Sequence, residues 1–580
     1  MVSPRVKRIR IILLVVGVIL VSTIIHTTAS PNYKELLTFD SPFSLYSNRL
    51  TGQGKSQDDS GTQEDDNVLK PEDESHKNKF GEAAFGGDDA AHDLGGNGKL
   101  VKDSVSLLAK ILAEAKPTSA PLVKYNNDEK AAELFHTNED FHFSEEYLSH
   151  LLVVDDDTVK DLTKKHQLFV QKAFVDNKFP VFGDSKKTAS GRGIVIVGGG
   201  DYNWLTLLNI NQLRTTGCTL PVEVYIANAD DYEKAFCDEI LPELNAKCVL
   251  GHKEIPSGLR NSEAISGFQY KLYAFFASSF QEILFLDSDN VVVRDPTPMF
   301  DSKPYLKTGL VLWPDCWSRT THPKYYSIAG IKVGDKPDRG QFKNEKDPRN
   351  WNYHDLPGTL PNPASETGMI ILDKKRQVQT LLLALYYNFY GPDFYYPLLT
   401  QGGAGEGDKD TFPAAAHALA QPYYQVKAPF SFIGYHDSEG FHSKALGHYD
   451  PGQDYSKFLS KDKKEKEKEL DLMFMHLSYP KLFPYTLDLE LKAENGDQRR
   501  LYLSSTEKSG YDFELQMWNI FTQLLCEDYK LDKKTSSLEL SERMRSKARK
   551  LKVAQKSDAK QACSSLHLPH LKHLRANPEK

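Results

Sequence analysis

Ile283-Leu284-Phe285-Leu286-Asp287-Ser288-Asp289 is an apolar run that stops abruptly at two aspartates one residue apart. A short apolar stretch bounded by turn-forming residues predicts a strand buried on both faces. Both carboxylates then lie at the carboxyl edge of a sheet, where open α/β sheets place their ligands. Hard oxygen donors at that edge suit Mn²⁺ or Mg²⁺ bridging a diphosphate. Taken alone, an Asp-x-Asp pair also fits a solvated turn or a helix cap, so its surroundings must carry the assignment.

Upstream, Gly193-Ile194-Val195-Ile196-Val197 predicts another buried strand, followed by the turn Gly198-Gly199-Gly200-Asp201 and a helix over Trp204 to Arg214. Pro221 to Ala227 and Ala246 to Leu250 predict two further strands, and Lys271 to Ser279 a helix leading into the Ile283 strand. Strands and helices alternating at this spacing favour a parallel α/β sheet. The triglycine turn lets backbone amides approach a nucleotide closely. It is not a dinucleotide fingerprint, because the third glycine position holds Asn203, and hydride transfer is disfavoured.

The rest of the chain places this body in a secretory lumen. Arg5, Lys7, Arg8 and Arg10 precede an uncharged stretch from Ile11 to Ile25, which predicts a short signal-anchor helix with a cytosolic amino terminus. A cleaved signal peptide ending near Thr27-Thr28-Ala29 is the competing reading and has the same topological consequence. The predicted organisation is a cytosolic tail (1–10), an anchor (11–28), a luminal stem (29–120), one catalytic domain (121–530) and a charged carboxyl-terminal tail (531–580). Residues 53–97 are rich in Asp, Glu, Gly, Ser and Lys and nearly free of aromatics, too polar to offset the entropy of ordering. A probe of apolar spacing finds a helix around Leu100 to Ala115, belonging either to the stem or to the body. The net charge of −7 over 580 residues argues against a nucleic-acid partner. The six cysteines contain no C-x-x-C pair, which disfavours a thiolate zinc site and leaves room for disulfides in the lumen.

The blocks Val195 to Gly200, Gln269-Tyr270-Lys271-Leu272-Tyr273-Ala274 and Leu284 to Asn290 resemble the fungal MNN-type Golgi α-mannosyltransferases. So do Ser365-Glu366-Thr367-Gly368-Met369, Gly405-Glu406-Gly407-Asp408-Lys409-Asp410 and Phe474-Met475-His476-Leu477 through Lys481. The similarity covers about residues 150–530 and is greatest to the α-1,2-mannosyltransferases that start side branches on a mannan backbone. It implies a GT-A-type fold, with a Rossmann-like mixed sheet flanked by helices in a single catalytic domain behind the anchor and stem. It also implies a type II Golgi membrane protein, GDP-mannose as donor, Mn²⁺ as metal, retention of the α configuration and a mannan or N-glycan α-mannoside as acceptor. Work in a complex with other mannosyltransferases stays open.

Candidate roles follow from the chemistry of a sugar nucleotide, whose diphosphate gains negative charge as the glycosidic bond breaks. Asp287 and Asp289 would hold the cation, with His476 returning to it from a distant strand. Lys271 and Lys481 are candidate phosphate or donor contacts, beside Gly198, Gly199 and Gly200. Asp408, then Glu406, and Glu366 are the carboxylates for mannose hydroxyls, charge stabilisation or acceptor orientation, with no nucleophile distinguished among them. Two other readings stay open: a related retaining transferase with a UDP-sugar donor or α-1,3 linkage, and a non-catalytic Golgi partner of an active transferase.

Overall fold

The computed structural model describes residues 102–136, 141–176, 191–255, 265–340, 344–485, 487, 490–493, 495–503, 505–534 and 538–579. The predicted anchor and all of the stem before residue 102 lie outside the described residues. Among the described residues no helix is long and apolar enough to cross a membrane.

Among the described residues, eleven strands form two sheets. In the larger one, β1 (Arg192–Val197), β2 (Val222–Ile226), β3 (Ala246–Leu250), β4 (Glu282–Leu286), β6 (Leu310–Pro314), β7 (Ser365–Asp373) and β8 (Tyr424–Gln425) run in the order β3-β2-β1-β4-β7-β6-β8. The first four are parallel, as the strand and helix spacing predicts. Past β4 the direction changes, because β7 is antiparallel to both β4 and β6. The sheet is therefore mixed, as the family resemblance implies, although the strand and helix spacing of the first half shows only its parallel part. A strand buried on both faces is a continuous apolar run whichever way its neighbour points, so local pattern could not reveal the reversal.

Successive residues of these strands feed two separate cores, as the period of two requires. Ile194, Ile196, Val222, Val224, Leu284 and Leu286 face one side, where the helices Tyr202–Thr215 and Phe513–Leu525 pack. Val195, Ile283, Phe285, Ile370 and Leu372 face the other, against the helices Tyr270–Ala277, Val378–Phe389 and Thr411–Ala418. The smaller sheet is antiparallel, in the order β5 (Asn290–Val292), β11 (Leu472–His476), β10 (Gly440–Tyr449), β9 (Ser431–Asp437).

Both domain boundaries move outward. The helix Lys102–Glu114 buries Val105, Leu108, Ile111 and Leu112 in the second core, and Tyr390 donates a 2.6 Å hydrogen bond to Leu112 O. It belongs to the body, which starts earlier than residue 121. At the other end, Leu551, Val553, Leu566, Leu571 and Leu574 pack into the first core. Fully buried Glu514 accepts from Leu501 N and Tyr502 N and pairs with fully buried His570 at 3.1 Å. A disulfide joins Cys526 to Cys563, another joins Cys237 to Cys248, and Cys218 and Cys316 are reduced and buried. The segment expected as a charged tail is thus integral, its leucines spread thinly enough among Lys and Arg to hide the apolar face.

Candidate active site

β4 ends at Leu286, and Asp287 N continues the pairing by donating to Gly368 O at 2.7 Å. Three residues after Asp287 the chain enters β5, where Asn290 pairs with His476, the last residue of β11. Leu477 N donates to Asp289 O at 2.9 Å. The Asp-x-Asp pair therefore sits on the seam between the two sheets, and register alone brings His476 beside it.

Two linked charge clusters fill this seam. The Lys271 ammonium, on the helix before β4, lies 3.0 Å from Asp287 and 3.4 Å from Asp408, and donates to Thr367 O and Oγ1 at 3.0 and 3.1 Å. Lys481 is ion-paired with Asp289. His476 Nε2 is 3.9 Å from Asp289 Oδ2, and His476 Nδ1 is 3.1 Å from Glu366 Oε2. Glu366 Oε1 accepts from Gly368 N at 2.6 Å. A side chain at Gly368 would meet Asn290 Nδ2 at 2.5 Å, so this close approach of β7 to the seam requires glycine.

The titration behaviour follows from these neighbours. Burial opposes charge on His476, but Glu366 and Asp289 outweigh it and hold the imidazolium up to about 9. Glu366 is lowered in return, burial being overcome by His476. Asp289 is lowered because Lys481 and His476 overcome its burial. Asp287 is raised, since burial together with Asp289 and Glu366 exceeds the help from Lys271. Asp408 is pushed up to about 6, burial and Asp287 prevailing over Lys271. Four carboxylates thus face two ammonium groups and one imidazolium, and two of the carboxylates bind protons more readily than usual. Positive charge is in short supply here.

Asp287, Asp289, His476, Glu366, Asp408, Lys271 and Lys481 come together. Glu406 does not join them: its carboxylate accepts from Gly402 N at 2.6 Å and Thr400 Oγ1 at 3.1 Å, holding the turn in which Gly402 and Gly405 adopt positive φ. A tightly wound glycine turn leaves amides that need an acceptor, and Glu406 supplies it. The triglycine turn also departs from expectation. Gly198 N donates to Tyr225 O at 3.0 Å, Gly199 N to Asn203 Oδ1 at 2.9 Å, and Gly200 N to Asp231 O at 3.3 Å. All three amides are spent internally, on Asn203 and on the carbonyls of Tyr225 and Asp231. Among the described residues no group of three His, Cys, Asp or Glu side chains is arranged as a ready metal site.

Several neighbours were not singled out from sequence. Tyr202, about one-third exposed, is close enough to feel the charges of Lys481, Asp289 and Asp287. His448 is buried with both ring nitrogens unpartnered, near Glu366 and His476. Arg319 and Asp410 form a fully buried pair at 2.7 Å, and Lys409 reaches Asp315 at 2.7 Å. For Asp410 and Lys409 a signal existed, since both lie inside the acidic block. Trp313, Tyr325, Tyr326 and Tyr353 are core residues.

A mannosyltransferase family model, Mannosyl_trans3, matches residues 191–450, which run from β1 to just past β10. The α-1,2-mannosyltransferase MNN2 of Candida albicans is 39% identical over 502 residues, covering 79% of this chain and 81% of its own. The chain belongs to the fungal MNN2-type α-1,2-mannosyltransferase family. The family's MNN2 from Saccharomyces cerevisiae is 35% identical over 438 residues, covering 67% of this chain and 72% of its own. Among solved structures, the galactosyltransferase LgtC in complex with donor and acceptor sugar analogues aligns over 51% of this chain and 90% of its own, at 13% identity and a TM-score of 0.27.

Proposed function

We propose that this chain is a Golgi-anchored, retaining α-1,2-mannosyltransferase with a GT-A-type catalytic domain, using Mn²⁺ to carry mannose from GDP-mannose onto α-mannosides of mannan side chains and N-glycans. The observation that carries this reading is the strand-end pair Asp287 and Asp289 inside a buried, carboxylate-rich cluster, in a chain of this family. That cluster fits a divalent cation in charge and donor type, with Asp287, Asp289 and His476 to hold it. When bound, the ion would neutralise the diphosphate as the leaving GDP takes the electron pair of the broken glycosidic bond.

The remaining residues position and tune. Lys271 keeps Asp287 and Asp408 aligned from beneath. Lys481, its side chain more than one-third exposed, is placed to turn from Asp289 to a phosphate oxygen. Asp408, titrating at about 6, is suited to exchanging a proton near neutrality as the acceptor hydroxyl loses its own. Tyr202 at the mouth offers a ring for a nucleotide base.

The test is GDP release by the full-length chain with GDP-mannose, Mn²⁺ and α-1,6-mannobiose, beside chelator and UDP-sugar controls. Acceptor-dependent turnover with GDP-mannose alone, abolished by chelator and yielding an α-1,2 product by NMR, is the expected result. Turnover with a UDP-sugar instead, or none with any donor in folded protein, would refute the proposal.

A further inference from the structure

Large aromatic side chains scattered singly over a surface need no explanation, but a gathering of them marks a binding surface. Among the described residues, Phe141, Tyr202, Phe268 and Tyr479 are the aromatic side chains at least 36% exposed. Phe141 belongs to a cluster with Phe143 and Tyr147. The other three border the charged seam. Tyr202 feels Lys481, Asp289 and Asp287, and Tyr479 is two residues before Lys481. Phe268 is three residues before Lys271, in a 3₁₀ turn (Gly267–Gln269) that runs straight into the Lys271 helix. Residues three apart share a helical face, which puts Phe268 about one turn from Lys271.

Phe268 is the most exposed of the four, at 60%, and has no aromatic or cationic partner among the described residues, whereas the Lys444 ammonium sits 5.1 Å over the Tyr479 ring. What it does touch is Gly407. A Cβ there would come within 3.0 Å of Phe268 Cδ2, so glycine lets the ring lie against the chain directly before Asp408. Both sides of this contact are held still. Glu406 accepts from Gly402 N and Thr400 Oγ1, and Asp408 faces the Lys271 ammonium at 3.4 Å. Ser266 and Gln269 form a capping box around Phe268, and buried Gln269 donates to Asn388 O at 2.6 Å. A ring fixed before any ligand arrives loses little freedom on binding one.

The neighbours select the occupant. The Asp289 half of the seam carries Lys481 and Tyr202, suited to a nucleotide diphosphate, whereas the Asp408 half sets a carboxylate acceptor beside an uncharged ring. A pyranose has a face of C–H groups and a rim of hydroxyl donors, which matches an apolar ring next to a carboxylate. An open ring also sets no limit on the length of the glycan beyond the residue it holds. We infer that Phe268 is the platform for the acceptor, packing against the C–H face of the mannose ring that receives the transfer, with Asp408 on its hydroxyl side. The inference rests on the transferase reading above and names the side from which the acceptor enters.

The experiment uses the full-length chain with Phe268→Ala, Phe268→Leu and Phe268→Tyr. A ring this exposed supports little of the core, so all three variants should fold. Saturation-transfer NMR of methyl α-mannoside is measured without donor, and steady-state transfer from GDP-mannose to α-1,6-mannobiose is measured with each substrate varied. The expected result is loss of saturation transfer and an acceptor KM raised at least about tenfold in Phe268→Ala and Phe268→Leu, with recovery to within about threefold in Phe268→Tyr. The KM for GDP-mannose should stay within about twofold throughout. An unchanged acceptor KM in Phe268→Ala, a Phe268→Leu variant as good as the parent, or a rise confined to the GDP-mannose KM would overturn the platform and leave the mannosyltransferase reading intact. If the parent binds methyl α-mannoside in a Phe268-dependent way yet transfers nothing from GDP-mannose, the donor assignment fails and the platform stands.

Discussion

Glu366→Gln removes one charge and little volume from the seam between the sheets. In the metal-free protein, Glu366 is foremost among the groups that hold the His476 proton up to about 9, against burial and Lys481. The imidazole's ordinary midpoint is about 6.5. A gap of about 2.5 units, at about 1.36 kcal/mol each, corresponds to about 3 kcal/mol of native-state stabilisation. The folded midpoint is the higher one, so this contribution is fully present below pH ~6.5 and lost as pH rises through about 9. Because Asp289 shares in holding the proton, Glu366→Gln should destabilise the protein by up to about 3 kcal/mol at pH 6 and by less than about 1 kcal/mol at pH 9, apart from any weakening of the hydrogen bond from Gly368 N. The assay is ¹H–¹³C NMR titration of labelled histidines in EDTA, with His476→Asn for assignment, beside denaturant unfolding at the two pH values. A parent midpoint at or below 6.5, or an equal loss of stability at both pH values, would refute the reasoning.

Asp289→Ala should lower transfer by at least about 10²–10³-fold, the cost of losing a group aimed at developing charge. Mn²⁺ should raise the melting temperature of the parent and not of this variant, read by scanning calorimetry. Arg319→Met leaves the Asp410 carboxylate buried without its partner and should cost about 3–5 kcal/mol, measured by chemical denaturation; a loss under about 1 kcal/mol would argue against a dry pair. Deleting residues 538–580 strips Leu551, Leu566 and Leu574 from the core and orphans Cys526, so soluble secretion should fail. Recovery of a monodisperse, active truncated protein would contradict that.

Much of the site was legible because each part carries its own local signal. An apolar run ending in Asp287 and Asp289, a helix bearing Lys271 just before it, and a short run ending in His476 are each readable within a few residues. What brings them together is register, as in the pairing of Asn290 with His476, and pairings across some 186 residues leave no trace in periodicity. The same limit hid the antiparallel course of β7. Glu406 and the triglycine amides are turned away from the cluster for a different reason. Their residue types were read correctly as turn chemistry, but whether a turn's hydrogen bonds point outward or close on themselves depends on which neighbours meet it: Gly402 and Thr400 for Glu406, and Tyr225, Asn203 and Asp231 for the triglycine amides. The packing of the carboxyl-terminal helices was not legible because each contributes only one or two buried apolar residues, too few to dominate a charged stretch.

The two aspartates are anchored to different sheets. Asp287 bonds through its amide to Gly368 of the seven-stranded sheet, whereas Asp289 bonds through its carbonyl to Leu477, directly after the last residue of β11 in the four-stranded one. Ser288 is the whole length of chain between them. The distance between the carboxylates is thus a gauge of how the sheets sit on each other, and a substitution far away on β9 or β10 that tilts the small sheet would detune the clamp without touching any ligand. Selection on this enzyme's activity should accordingly reach residues in the small sheet's interior, such as Ile433 and Ala445, as firmly as it reaches the carboxylates themselves.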